Sequence, residues 1–218
     1  MIEICAIAIN ENDYLDEWVE HHLSLGFDRI TIYDNGSNVK WTTDNPKVRL
    51  RERLGKEQQL PLYKEYAQTT DSDWVAFIDI DEFIMINGTI QEFLEKYKDY
   101  SGIQLPWVMY GANGQYKQEP GRVQDRFTLI SPNQVQCYAF KSIVRPKDFI
   151  SLYNPHDIQV NGQTILINKD EATLNHYYTK SLEEWTKKVA RGRIDVLAGM
   201  DYYYFFNFNP DMTTDKIN

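Results

Sequence analysis

The stretch Trp74-Val-Ala-Phe-Ile-Asp-Ile-Asp-Glu-Phe-Ile84 decides how the rest of the chain is read. Five consecutive apolar residues, Trp74 to Ile78, predict a strand buried on both faces, as in a parallel sheet covered by helices on either side. Asp79 and Asp81 arrive at its end. Alternation along an extended chain puts both carboxylates on one side, with Ile80 facing away. Stripping water from a carboxylate is costly unless a partner compensates. A divalent cation relieves the repulsion between two converging carboxylates, so the arrangement points to an Asp-x-Asp metal site. A solvated acidic turn is the plain alternative.

Working outward, Glu3 to Ile9 has the length and polarity of a buried strand, and Asn10-Glu11-Asn12-Asp13 offers N-cap candidates for a helix. Leu15, Trp18, Val19, His22 and Leu23 fall at helical spacing, and Gly26 suits the C′ position. His21-His22 reads as helix surface and core edge. A second strand, Arg29 to Tyr33, runs into Asp34-Asn35-Gly36-Ser37, and Val48 to Arg51 is a short third strand. A helix from about Glu57 to Thr69 leads into the Asp79 strand. Thr89-Ile-Gln-Glu92 has the form of a capping box opening a helix to about Tyr97. This alternation predicts right-handed crossovers and a mostly parallel sheet. Ligands of such sheets gather outside the carboxyl ends of the strands. Three polar clusters fall at such ends: Asn10-Glu11, Asp34-Asn35 and Asp79-Ile80-Asp81.

The second half is less regular. Gly102 to Tyr110 is strand-like and precedes Gly111-Ala-Asn-Gly114, while residues 127–168 hold short β-favouring pieces, among them Ile143-Val144 and Thr164 to Ile167. Ser181-Leu-Glu-Glu184 is a second capping box, starting a helix that carries Trp185 and Val189 and ends near Gly192. Lys180, Lys187, Lys188, Arg191 and Arg193 concentrate positive charge there; such a run is ordinarily a solvated helix face, or it meets an anionic substrate.

With 218 residues and a formal charge of -9, the chain has room for a substantial core and lacks the basic surface of a nucleic-acid binder. No segment approaches the length of a membrane span, and the opening residues do not form a secretory signal. Cys5 and Cys137 are too few for a disulfide framework, so a cytoplasmic protein with a buried, reduced Cys5 is expected.

Taken together, Ala8-Ile-Asn-Glu-Asn-Asp-Tyr-Leu-Asp-Glu-Trp-Val-Glu-His-His22, Gly26-Phe-Asp-Arg-Ile-Thr-Ile-Tyr-Asp-Asn-Gly-Ser37 and Asp73-Trp-Val-Ala-Phe-Ile-Asp-Ile-Asp-Glu-Phe83 resemble the opening and the metal motif of family 2-like or family 92-like (DUF23-like) glycosyltransferases of the bacterial polysaccharide type. Leu105-Pro-Trp-Val-Met-Tyr-Gly-Ala-Asn-Gly114, Lys141-Ser-Ile-Val144 and Asn175-His-Tyr-Tyr-Thr-Lys-Ser181 are similar to later blocks. The resemblance implies an α/β, Rossmann-like GT-A fold in a single domain. Its nucleotide-sugar half would cover about residues 1–100 and its smaller, mixed acceptor-side region about 101–200, with residues 201–218 as a tail. It implies an inverting, metal-dependent transferase using a nucleotide-diphosphate sugar, UDP-linked by resemblance, and a glycan or lipid-linked glycan acceptor.

Carried over to this chain, Asp79, Asp81 and His176 would hold Mn²⁺ or Mg²⁺, and Asn10, Glu11, Asp34, Asn35 and Asp79 would meet the nucleotide. Lys180, Lys187 and Arg191 would reach the diphosphate. An inverting displacement needs a base. Asp125 is the first candidate, with Glu119 and Asp157 as alternatives; His156 could orient the acceptor, ligate metal, or form a structural pair with Asp157. Two other readings compete: a haloacid-dehalogenase-like phosphatase with Asp79 as nucleophile and Asp211-x-x-x-Asp215 as its later motif, and a non-catalytic nucleotide- or glycan-binding domain. Tyr202-Tyr-Tyr-Phe-Phe-Asn-Phe208 is expected to fold over the core as strand or loop, or to serve self-association or a peripheral membrane contact.

Overall fold

Nearly every residue of Ile2–Ala8 (β1) is apolar, and all seven are buried. Ile4, Ala6 and Ala8 face one core, which includes Leu15, Trp18 and Val19 of the helix Asn12–Ser24 (α1). Cys5 and Ile7 face a second, which includes Leu62, Tyr63, Tyr66 and Ala67 of the helix Gln59–Thr69 (α2). A strand with a period of two therefore feeds two helices on opposite faces, the expected α/β arrangement. Cys5 is a buried free thiol, with its pKa pushed up by burial.

The computed structural model describes residues 1–134, 140–191 and 202–213. Its further elements are β2 (Arg29–Asp34), β3 (Val48–Glu52), β4 (Trp74–Phe77), β5 (Glu82–Ile86), α3 (Ile90–Lys96), β6 (Gly102–Met109) and α4 (Val123–Arg126). They continue with β7 (Phe140–Val144), β8 (Phe149–Leu152), β9 (Ile158–Val160), β10 (Thr164–Leu166), β11 (Ala172–His176), α5 (Leu182–Arg191) and α6 (Tyr202–Phe208). Among the described residues nine strands form one sheet in the order β3-β2-β1-β4-β7-β6-β11-β5, with β10 beside β6; β8 and β9 make a small hairpin sheet. The pairs β2–β3, β1–β2, β1–β4, β6–β11 and β6–β10 are parallel, and β4–β7, β6–β7 and β5–β11 are antiparallel. Strands from the second half of the chain thus separate β4 from β5. No helix among the described residues is long and apolar enough to cross a membrane.

Gly26 takes φ +96° directly after α1, as expected of a C′ glycine. Several expectations need correction. The strand before Asp79 ends at Phe77, and Glu82 amide donates to the Asp79 carbonyl (3.1 Å), so Asp79 to Glu82 is a turn. Strand alternation does not govern the two carboxylates, and β5 follows the turn at once. The second helix starts at Gln59, because Glu57 adopts a left-handed φ of 54°. His22 is core rather than core edge. It is fully buried, with Nδ1 on the Trp18 carbonyl (2.8 Å) and Nε2 accepting from Ile84 amide (3.3 Å). The aromatic run 202–208 is a helix rather than a strand or loop: Phe205 and Phe208 are buried, while Tyr202, Tyr203 and Tyr204 are exposed. Cys137, Arg193 and Asp215 lie outside the described residues.

Candidate functional site

Because β1 lies between β2 and β4 and is parallel to both, the three polar clusters leave the sheet at one edge. Asn10 turns there in a left-handed conformation (φ 54°), which Asn tolerates better than most residues. Its amide donates to Ser37 Oγ (2.8 Å) and its Oδ1 accepts from Asn38 amide (2.8 Å), binding the end of β1 to the loop after β2. Asp34 Oδ1 accepts from Ser37 amide (3.0 Å), while its Oδ2 is buried without a partner. Asn35 is turned aside: its Nδ2 donates to the carbonyls of Gly55 (3.0 Å) and Arg53.

The acidic turn after β4 is pinned by α1, whose Trp18 Nε1 donates to the carbonyls of Glu82 (2.8 Å) and Asp79 (3.1 Å). Asp79 Oδ1 accepts from Gln59 Nε2 (2.7 Å), and Oδ2 meets Lys141 Nζ at 2.8 Å. Lys141, fully buried in the apolar strand β7, stays charged: burial would lower its pKa, but Asp79 and Glu82 outweigh burial and raise it. Asp81 points elsewhere. Its Oδ2 meets Lys188 Nζ at 2.7 Å, and its Oδ1 lies 3.4 Å from His176 Nε2 at the end of β11. Burial alone would raise the Asp81 pKa, yet Lys188, His176 and Lys180 hold it well below the usual carboxylate range. The His176 pKa is lowered by burial against the pull of Asp81, and that of His156 is pushed down to about 4 by burial and by Lys141. The mutual repulsion that suggested a metal is thus already relieved by two lysines. Among the described residues no group of three or more His, Cys, Asp or Glu is gathered to hold an ion.

The cation-rich segment is not a solvated face. Lys180 Nζ reaches Glu11 Oε2 (3.5 Å) and lies 3.9 Å over the Tyr14 ring, while Arg191 Nη1 reaches Glu11 Oε1 (3.0 Å). Their side chains are only 6% and 16% exposed, and that of Lys188 17%, because α5 lies across the carboxyl edge of the sheet. Among its described residues, only Lys187 behaves as a surface cation, paired with Glu183 (2.9 Å) and Gln118 (2.8 Å). Between α5 and the sheet edge lies a cavity of about 790 Å³ whose lining includes Asn10, Glu11, Tyr14, Lys180, Lys188 and Arg191.

The structure therefore brings Asn10, Glu11, Asp34, Asp81, His176, Lys180 and Arg191 to one edge. The three candidate bases are placed otherwise: Asp125 on α4, Glu119 and Asp157 are all exposed, and none lines the cavity. His156 bonds through Nδ1 to the Phe140 carbonyl (3.1 Å) and is not paired with Asp157, whose amide bonds to Asn154. Sequence reasoning missed Gln59, Glu82 and Lys141, and left Lys188 out of the site. The available signal was a lone cation in the apolar strand Phe-Lys-Ser-Ile-Val, since a buried ammonium demands a counter-ion.

Residues 66–202 match the model of "Glycosyltransferase family 92". A glycosyltransferase family 92 protein of Oryza sativa subsp. japonica is 28% identical over 211 residues, covering 88% of this chain and 35% of the relative. One of Ricinus communis is 24% identical over 205 residues, covering 80% and 35%. The chain thus spans about a third of the length of these curated relatives. It also shows a distant similarity to S. aureus TarS, with a TM-score of 0.46 and 14% identity over 82% of this chain and 37% of that one. The mixed, mostly parallel sheet agrees with the GT-A expectation. The family model covers more than half of the 218 residues, and the chain belongs to glycosyltransferase family 92.

Proposed function

We propose that this chain is a metal-dependent glycosyltransferase that moves a sugar from a nucleotide-diphosphate sugar, UDP-linked by resemblance, to a glycan or lipid-linked glycan hydroxyl with inversion. The observation that carries the reading is the pairing of a nucleotide-sized cavity with the acidic turn at one sheet edge, closed by three cations of the α5 region. Family membership speaks against the phosphatase alternative.

Asp34, with a buried oxygen lacking a donor, suits a nucleoside N–H or O–H, and Asn10 fixes the loop beside it. Lys180, Lys188 and Arg191 suit the diphosphate, since a charge-assisted contact is stronger than a neutral one. Lys187, facing Glu183 and Gln118, is left outside this role.

The residues present fit Mn²⁺ or Mg²⁺ held jointly with substrate. Asp81 Oδ1 and His176 Nε2 offer two ligands 3.4 Å apart, and such ions ordinarily keep waters and complete their shell with phosphate oxygens. An imidazole beside a carboxylate favours Mn²⁺. Once bound, the ion would stabilise negative charge on the departing diphosphate. Asp79, engaged by Lys141 and Gln59, acts in this reading as a fixed wall that holds the turn rather than as a ligand.

A thermal-shift series with nucleotide sugars, with and without Mn²⁺, tests the proposal. One donor should raise Tm strongly, because ligand at about 100 times its Kd stabilises by about 2.7 kcal/mol. That shift should shrink with EDTA and in Asp81→Asn. Absence of any nucleotide-dependent shift in the wild type, or transfer indifferent to both EDTA and Asp81→Asn, would overturn it.

A further inference from the structure

Among the described residues five buried polar side-chain atoms lack a partner, and two of them face each other. Glu82 Oε1 and His176 Nδ1 lie 3.9 Å apart. Their meeting is built into the sheet: β11 pairs antiparallel with β5, and His176 sits directly opposite Glu82 in the register. Opposed residues project to the same face. The other Glu82 oxygen accepts from Asp79 amide at 2.8 Å and lies 3.9 Å from Lys141 Nζ, so one carboxylate faces both the acidic turn and the imidazole. Packing constrains the faces of the imidazole through Trp107 (ring centroids 4.4 Å) and Tyr178 (5.2 Å), leaving the two ring nitrogens to set the remaining rotation.

A fully buried carboxylate is an expensive residue to place in a strand that otherwise reads Phe-Ile-Met-Ile. Leaving its oxygen and a buried imidazole nitrogen both unpaired, side by side, forfeits the hydrogen bonds each of them made to water. A small side-chain rotation removes both costs. We infer that Glu82 is the positioning residue of this site: it hydrogen-bonds His176 Nδ1 and so keeps Nε2 directed at Asp81 Oδ1. Glu82 itself touches neither nucleotide nor metal. The arrangement is the carboxylate–histidine support that orients an imidazole from behind, and it rests on the metal reading only where metal affinity is the readout.

The test uses the full chain labelled with ¹⁵N, with the His176 ring signals identified by their loss in His176→Gln. Glu82→Met removes both oxygens at similar length, and Glu82→Gln keeps an amide that can bond Nδ1. In wild type and in Glu82→Gln, the His176 Nδ1 resonance should carry the shift of a hydrogen-bonded nitrogen; in Glu82→Met it should not. Mn²⁺ affinity without donor, read by electron paramagnetic resonance, should fall about 10–100-fold in Glu82→Met and be largely retained in Glu82→Gln. A wild-type Nδ1 without a hydrogen bond overturns the inference, and needs no variant that might fail to fold. So does a folded Glu82→Met chain with the wild-type ring signature and Mn²⁺ affinity. If the wild type takes up no Mn²⁺ either alone or with a nucleoside diphosphate, the metal reading fails while the ring signature still decides the role of Glu82.

Discussion

The chain uses one four-residue motif twice, with different outcomes. Thr89-Ile-Gln-Glu92 opens α3, and Ser181-Leu-Glu-Glu184 opens α5; in both, the hydroxyl accepts from the fourth residue's amide and the glutamate accepts from the first residue's amide. Thr89 and Glu92 are exposed, and their box bonds only to itself. Ser181 and Glu184 are buried, and Glu184 also meets Arg126 Nη2 at 2.8 Å and the Tyr14 hydroxyl. Arg126 and Glu184 side chains are 7% and 6% exposed. The first box starts a helix. The second starts a helix and fixes its place over the site, so that Lys188 and Arg191 at its far end reach Asp81 and Glu11.

The comparison breaks first at the glutamates. Glu184→Ala strands a buried guanidinium and should cost about 3–5 kcal/mol, whereas Glu92→Ala should barely move the urea midpoint. Equal shifts would mean that the tertiary bonds of Glu184 contribute nothing. Acid should remove much of this difference. Burial would raise the Glu184 pKa, but Arg126, Ser181 and Tyr14 outweigh it and lower it. A folded pKa below the unfolded one stabilises fully above about pH 4.5, and that contribution disappears as pH falls through the folded value. The stability gap between wild type and Glu184→Gln should therefore be flat above about pH 5 and close below about pH 4.5.

At the far ends of the two helices the contrast can be sharpened. Lys188→Gln should weaken nucleoside-diphosphate binding about tenfold, the loss of one charge-assisted bond. The same change should tighten Mn²⁺ binding in the absence of nucleotide, because it removes the ammonium that neutralises Asp81. Lys96→Gln, in the last turn of α3, should do neither. Calorimetry of both ligands on both variants checks the signs, and a Lys188 variant that loses affinity for both would contradict this role.

What the sequence made legible follows the range of the interactions. β1, β2, α1, the Gly26 terminus and both capping boxes rest on neighbours within a few residues, where period and cap chemistry are visible. The gathering of three polar clusters at one edge followed from parallel topology. Lys141 and Asp79 are 62 residues apart, and Lys188 and Asp81 107, so no local pattern announces those pairs. β5 was hidden because Glu82-Phe-Ile-Met-Ile continues the apolar run of β4 with only a tight turn between. In the tail the aromatic residues favour a strand locally, whereas the segment is a helix whose Phe205 packs with Leu182 and Trp185 of α5.

The smallest effects belong to the hydroxyls, and they isolate what the motif contributes by itself. Thr89→Ala removes a cap that bonds only within its own box, so its cost should lie near about 1 kcal/mol, the ordinary value of an N-cap. Ser181→Ala removes the same cap and the same hydroxyl donor to its glutamate, but Glu184 also holds the buried Arg126 ion pair, so about 2 kcal/mol is expected. Urea midpoints of the two variants at neutral pH measure both. The surplus at Ser181 should vanish in a Glu184→Gln, Arg126→Met background, where the buried ion pair no longer depends on the serine; Thr89→Ala should cost the same in either background. A Ser181 surplus that survives there would assign the difference to burial of the cap, and the two motifs would then differ only in their exposure.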